Sequence, residues 1–152
     1  MRIRLLDLDD DAVAEAVHRI GRAAYAVEAE IIGFDGIPAL RESLAEMRVR
    51  ELSWVGAVSE GTLAGFLAWE ETGEGGVYVD RLCVDPGWFR RGVASALLGW
   101  LPDDRAVTVT TGAANGPAVA LYERLGFARG DDFSPVPGLR MASFSRPGSG
   151  AP

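Results

Sequence analysis

The segment Leu82 to Leu98, LCVDPGWFRRGVASALL, constrains the fold more than any other stretch of the chain. An apolar run of strand character is stopped by Asp85-Pro86-Gly87, and a helix opens a few residues later at Arg90-Arg91-Gly92-Val93-Ala94-Ser95. A strand that enters a helix through so short a turn leaves the first backbone N–H groups of that helix unpartnered. They point the same way, at the positive end of the helix dipole. Gly92 and Ala94 remove side chains that would keep a diphosphate from this backbone, and Arg90 and Arg91 add positive charge. Taken alone, the loop is either an anion cradle or an ordinary turn with two solvated arginines.

The pattern around this segment gives an alternating order of elements. Arg2 to Leu6 is a short strand, and the acidic cluster Asp7 to Asp11 can cap a helix marked by Val13, Val17, Ile20, Ala24, Val27 and Ile31. After a break at Gly33 to Gly36, Pro38 suits a first helical turn, and Leu40, Leu44 and Met47 mark one face of a second helix. Trp54 to Val58 and Leu63 to Trp69 form a hairpin about the Glu60-Gly61 turn, and Val77 to Val84 is a fourth strand. A third helix runs from about Arg91 to Leu101, Ala106 to Thr111 is a fifth strand, and Pro117 to Leu125 is a helix closed by Gly126 in a left-handed cap. Two weak strands lie around Phe127 and Met141. With no repeat and no linker this is one mixed α/β domain, residues 1–146, followed by a frayed tail over 147–152.

Composition removes several chemistries. The single cysteine, Cys83, excludes a disulfide framework and a Cys-rich zinc site, and the single histidine, His18, excludes a multi-histidine metal centre, so no metal is expected. All 15 basic residues are arginine, which leaves no lysine for a Schiff base or a Walker-type phosphate contact. The net charge of -7 argues against nucleic acid, and no apolar run suits a membrane span or signal peptide, so a cytoplasmic protein with no membrane partner is expected. His18 reads as a surface side chain.

A second informative segment is NGPAVALYERLGF, Asn115 to Phe127. Asn115, the only asparagine, lies between a strand and a helix start, where its amide can cap or bind. Tyr122 lies inside that helix, on a different face from Leu121 and Leu125, and is either a core aromatic or a hydroxyl aimed into a cleft beside the fourth strand. Together and in this order, LCVDP, FRRGVA and NGPAVALYERLGF resemble the GCN5-related N-acetyltransferase (GNAT) superfamily. The second match carries most of the weight, because Asn115, Ala118, Tyr122, Gly126 and Phe127 fall at that family's spacing. Phe89 departs from it, standing where the family prefers Gln or Arg.

The resemblance implies a mostly antiparallel mixed sheet of six to seven strands, splayed between the fourth and fifth and flanked by about four helices. It also implies acetyl-coenzyme A as co-substrate, with the backbone of Leu82, Cys83 and Val84 pairing with the pantetheine arm and Arg90, Arg91, Gly92, Val93, Ala94 and Ser95 holding the diphosphate. Asn115 would contact the pantetheine, Ala118 would line the channel, and Tyr122 would protonate the departing thiolate. The base is expected on the fourth strand, which points to Asp80, with Tyr78, on the same strand face as Leu82; Asp80 could equally pair with Arg81. Cys83 reads as a small buried residue rather than a nucleophile.

Acceptor recognition in that family comes from the connection of the first two helices and from the loop between the last two strands, here Tyr25 to Pro38 and Asp131 to Leu139. Tyr25 and Glu28 share a helix face, with Phe34 and Asp35 following, and an aromatic beside a carboxylate suits an ammonium group. Tyr25 as core and Glu28 as a solvated side chain is the other reading. Glu28, Asp35, Asp131 and Asp132 would reject acidic acceptors. The expected function is acetyl transfer to a primary amine of a small molecule or peptide through a ternary complex, with a non-catalytic acyl-coenzyme A binding or sensing module as the rival and a homodimer left open.

Overall fold

The computed structural model describes residues 1–149. Its centre is one sheet of eight strands: β1 (Arg2–Leu5), β2 (Ser53–Ser59), β3 (Thr62–Glu71), β4 (Val77–Val84), β5 (Val107–Gly112), β6 (Ala128–Arg129), β7 (Phe133–Val136) and β8 (Leu139–Arg146). The order across the sheet is β1-β2-β3-β4-β5-β8-β6, with β7 also paired to β8. Every pairing is antiparallel except β4 with β5. The chain after Phe127 supplies three strands rather than the two expected, two of them short and β8 as long as β4, hence eight in all.

Helices α1 (Asp11–Ile32) and α2 (Leu44–Arg48) cover one face, and α3 (Val93–Trp100) and α4 (Gly116–Arg124) cover the other. Asp10 starts α1 by accepting from the N–H groups of Ala12 and Val13, and Gly33 ends it at φ 68. Ala14, Val17 and Ile20 pack with Trp54, Phe66, Ala68 and Cys83 under α1; Val79, Leu97, Val107, Tyr122 and Phe144 belong to the layer under α3 and α4.

The single second helix expected across Leu40 to Met47 is instead a 3-10 turn at Pro38–Leu40 and the separate α2. The cause is Ser43: its hydroxyl accepts from Glu46 N–H while the Glu46 carboxylate accepts from Ser43 N–H, a capping box that starts a new helix there. His18 is half-buried rather than on the surface, with Nε2 2.8 Å from the Glu42 carbonyl oxygen. Of the expected tail, Ser149 donates through both its N–H and its hydroxyl to the Asp103 carbonyl, and residues 150–152 lie outside the described residues.

Two features of β4 make the site. Its parallel pairing with β5 is confined to Val77, Tyr78 and Val79 opposite Val107, Thr108 and Val109, so beyond Val79 the two strands part. Against β3 the register steps from Ala68–Arg81 to Trp69–Val79, which leaves Asp80 as an extra, bulged residue. The bulge inverts the alternation of the strand. Val77 and Val79 face the α3/α4 layer, and so do Leu82 and Val84, three positions beyond Val79 rather than two; Cys83 faces α1. Tyr78 therefore does not share a strand face with Leu82, contrary to simple period-two counting.

Candidate active site

The loop between β4 and α3 has the geometry its sequence suggests. Gly92 caps α3 at φ 76 without a side-chain hydrogen bond, and no atom lies within 4 Å of where its Cβ would stand. The first N–H groups of α3 are consequently unpartnered and open. Arg90 is held at φ 63, a left-handed conformation that costs a non-glycine residue about 1–2 kcal/mol. Trp88, Phe89, Arg90 and Gly92 to Ser95 form one end of a cavity of about 610 Å³ that continues along Leu82, Cys83 and Val84 on the open edge of β4 and along α4.

Arg91 does not line this cavity; its guanidinium stacks 5.0 Å from the Trp88 ring centroid. The second cationic wall is Arg124 at the end of α4, which the sequence reading missed. Its spacing held the signal, since Pro117, Leu121 and Arg124 stand at i, i+4 and i+7 on one helix face and all line the cavity.

Beyond the splay a second cavity of about 360 Å³ opens, walled by Ile32, Ile37, Tyr78, Phe133 and Met141 among others. Six residues line both cavities: Tyr25, Glu28, Leu82, Asn115, Ala118 and Tyr122. They mark the passage where β4 and β5 have separated.

Tyr122 is 4% exposed, with its ring 5.6 Å from that of Phe127 and 5.3 Å from that of Phe144. Burial, reinforced by the Glu28 charge, pushes its phenol well above the usual tyrosine range, so the hydroxyl keeps its proton at neutral pH. Asn115 caps α4 by accepting from Ala118 N–H at 3.3 Å. Burial likewise raises the phenol of Tyr25, and it pushes the neighbouring Cys83 thiol up to about 12, which makes Cys83 a poor nucleophile.

Glu28 reaches from α1 to the end of β5. Its Oε1 accepts from Gly112 N–H at 3.4 Å and lies 3.5 Å from the Thr111 hydroxyl, and among the described residues no arginine pairs with it. A side chain on residue 112 would stand 2.8 Å from Ile32 Cγ2 and 3.5 Å from Glu28 Oε1, so the glycine there admits this approach of α1 to β5.

Asp80 lines only the second cavity. It accepts from Arg81 Nε at 3.0 Å and from Arg50 at 3.2 Å, while Arg81 also holds Glu42 at 2.7 Å. Tyr78 lies 3.4 Å from the Thr110 hydroxyl on the same cavity wall. Phe34 lines neither cavity; its ring packs against Gly36 and Gly138, joining the α1–α2 connection to the β7–β8 turn. Asp132 is engaged by Arg129 and Arg140, each at 3.1 Å, and Asp35, Asp131 and Asp132 all lie off the cavity walls. The expected acidic lining thus reduces to Glu28 and the paired Asp80. No described helix is long and apolar enough to cross a membrane, and no group of three or more metal-ligating side chains is assembled among the described residues.

The acetyltransferase (GNAT) family model matches residues 12–127, and the chain belongs to that family. It is 32% identical over 146 residues to the UPF0157 protein YqkA of Bacillus subtilis (strain 168); that alignment takes in 93% of this chain but 42% of the relative, so the chain spans less than half the length of that protein. The fold is also that of the ribosomal-protein-S18-alanine N-acetyltransferase of Escherichia coli, with a TM-score of 0.74 at 22% identity over 99% of this chain and 96% of the other. An aminoglycoside 6'-acetyltransferase of type Ii superposes with a TM-score of 0.76 at 18% identity over 100% of both chains. The PaiA N-acetyltransferase of Thermoplasma acidophilum, solved with coenzyme A, gives 0.69 at 16% identity over 94% of this chain and 98% of that one.

Proposed function

We propose that the protein is an N-acetyltransferase that moves an acetyl group from acetyl-coenzyme A to a primary amine by direct attack in a ternary complex. The observation that carries this reading is the shared wall: two cavities, one ending in a loop of open backbone N–H groups and one of mixed polar and apolar lining, meet at Tyr25, Glu28, Leu82, Asn115, Ala118 and Tyr122. The residues fit the cofactor. The open Gly92 cap with Val93, Ala94 and Ser95 and the side chains of Arg90 and Arg124 would hold the diphosphate end, and the unpaired edge of Leu82 to Val84 would hold the pantetheine amides as an added strand. When bound, acetyl-coenzyme A supplies the activated acyl group.

This chain's own groups do the rest. Tyr122 keeps its proton at neutral pH and delivers it to the departing sulfur, which would otherwise leave as a thiolate close to the Glu28 carboxylate. Tyr25 and Tyr78 give the acceptor a hydroxyl-bearing wall, and a primary amine of a small molecule or a peptide terminus fits it. The Escherichia coli enzyme of the same fold is named for N-acetylation of a protein alanine and another neighbour for 6'-N-acetylation of aminoglycosides, which supports an amine acceptor here.

The test is a panel of primary amines assayed for thiol release from acetyl-coenzyme A, alongside a melting scan with the cofactor. The reading expects a raised melting temperature with acetyl-coenzyme A and thiol release with cationic or neutral amines, but not with dicarboxylic amino acids. A raised melting temperature with no release by any amine makes the chain a binding module instead. No shift at millimolar cofactor removes the reading altogether.

A further inference from the structure

We infer that Glu28 is the proton acceptor for the incoming amine, placed at the junction of the two cavities by its contact with the end of β5. The inference rests on the acetyl-transfer reading above and names a residue for a role that Asp80 was expected to fill.

Position decides between the two carboxylates. A base must touch the nitrogen at the moment it meets the acyl carbon, so it must stand where the cofactor cavity opens into the acceptor cavity. Glu28 lines both, and Asp80 lines only the acceptor side. Glu28 is the one carboxylate among the six residues of the shared wall. The bulge that inverts β4 also separates Asp80 from the alternation that would have carried it to the face of Leu82.

Pairing points the same way. Asp80 has both carboxylate oxygens engaged by guanidinium groups, Oδ1 by Arg50 and Oδ2 by Arg81, so taking a proton there would break charge-assisted bonds. Glu28 has no such partner, and its contacts to Thr111 and Gly112 both use Oε1. Those two contacts orient the carboxylate from β5 without neutralising it. The other titratable groups that its charge reaches are Tyr25 on α1, Cys83 on β4 and Tyr122 on α4, all protonated at neutral pH, so Glu28 is the group there free to accept a proton.

The protons balance. The acceptor enters as an ammonium ion and leaves as an amide, losing two protons from nitrogen. Glu28 takes the first before attack and returns it to water. The C–N bond then forms, the C–S bond breaks, Tyr122 protonates the sulfur, and the second proton from nitrogen restores the Tyr122 phenol. No oxidant or further reactant is needed.

Glu28→Gln keeps the shape and the capacity to accept from Gly112 N–H while removing the basic oxygen. Its kcat should fall by about 10²-fold or more. Affinity for the amine, measured by calorimetry on the protein loaded with desacetyl coenzyme A, should weaken by no more than about tenfold, because the loss is in proton transfer rather than in seating. An alkoxyamine, already neutral at the assay pH, should suffer a defect at least about tenfold smaller than an alkylamine does. A raised KM with unchanged kcat makes Glu28 a binding group only and overturns the inference. Loss of turnover in Asp80→Asn with Glu28→Gln still active returns the role to Asp80 and also overturns it. Either result leaves acetyl transfer intact, whereas a wild-type protein that acetylates no amine removes the underlying reading and this inference with it.

Discussion

The two halves of the cleft are built from different material. The half proposed to take the cofactor centres on backbone, a free strand edge, a glycine cap and the first turn of α3 within Leu82 to Ser95, with side chains of α1 and α4 along its other walls. The half proposed to take the acceptor is largely side chains, brought from α1, the α1–α2 connection, β4, β5, β7 and β8. Backbone recognition tolerates most substitutions and fails when bulk or charge fills the cradle. Side-chain recognition fails whenever any one of several distant segments moves.

That contrast can be broken at its strongest point by Glu42→Ala. Arg81 is 8% exposed and is held by Glu42 at 2.7 Å as well as by Asp80, so leaving it with Asp80 alone should cost roughly 1.5–3 kcal/mol of stability. The melting temperature should drop while the cofactor, once the protein is folded, still binds near its original affinity; equal losses on both sides would show that the halves are not separable. Tyr122→Phe comes next. Turnover should fall by about 10²-fold with nearly unchanged cofactor affinity, and undiminished turnover would mean that water protonates the sulfur.

Gly92→Glu sharpens the comparison from the other half. Its carboxylate would occupy the open space at the α3 cap, and the KM for acetyl-coenzyme A should rise by about tenfold or more while kcat at saturation holds. The melting shift with cofactor should shrink in parallel. The smallest effect expected is none at all: with a thiol pKa of about 12, Cys83 is ionised in roughly one molecule in 10⁴ at pH 8. A thiol reagent should label it only after unfolding, and rapid labelling of the native protein would reopen a covalent route.

This division also sets what the sequence could reveal. Contiguous backbone devices leave contiguous motifs, which is why the Gly92 loop, the Asn115 cap and Tyr122 are readable from FRRGVA and NGPAVALYERLGF. Ile32, Ile37, Phe133 and Met141 carry no local mark of a shared wall, because they meet only when the sheet closes. Assigning Asp80 to the face of Leu82 assumed an unbroken alternation, and nothing in VYVDRLCV announces the bulge. Phe34 and Arg91 were placed by the company they keep in sequence, whereas contacts with Gly36 and Gly138, and stacking on Trp88, decide where they lie. Glu28 could be put on a helix face with Tyr25, but its reach to Thr111 and Gly112 spans a separation of more than 80 residues.

The extra residue of β4 gives the chain an asymmetry between two kinds of genetic change. Replacing Asp80 alters a charge at one position, and the strand on either side keeps its facing. Losing the codon for residue 80 would instead close the bulge: Trp69–Val79 and Ala68–Arg81 would become successive pairs, and Arg81, Leu82 and Cys83 would keep the faces they have now. At this position substitution removes a charge and keeps the bulge, whereas in-frame deletion removes both the bulge and the carboxylate that holds Arg50 and Arg81, and the facing of the strand survives either change.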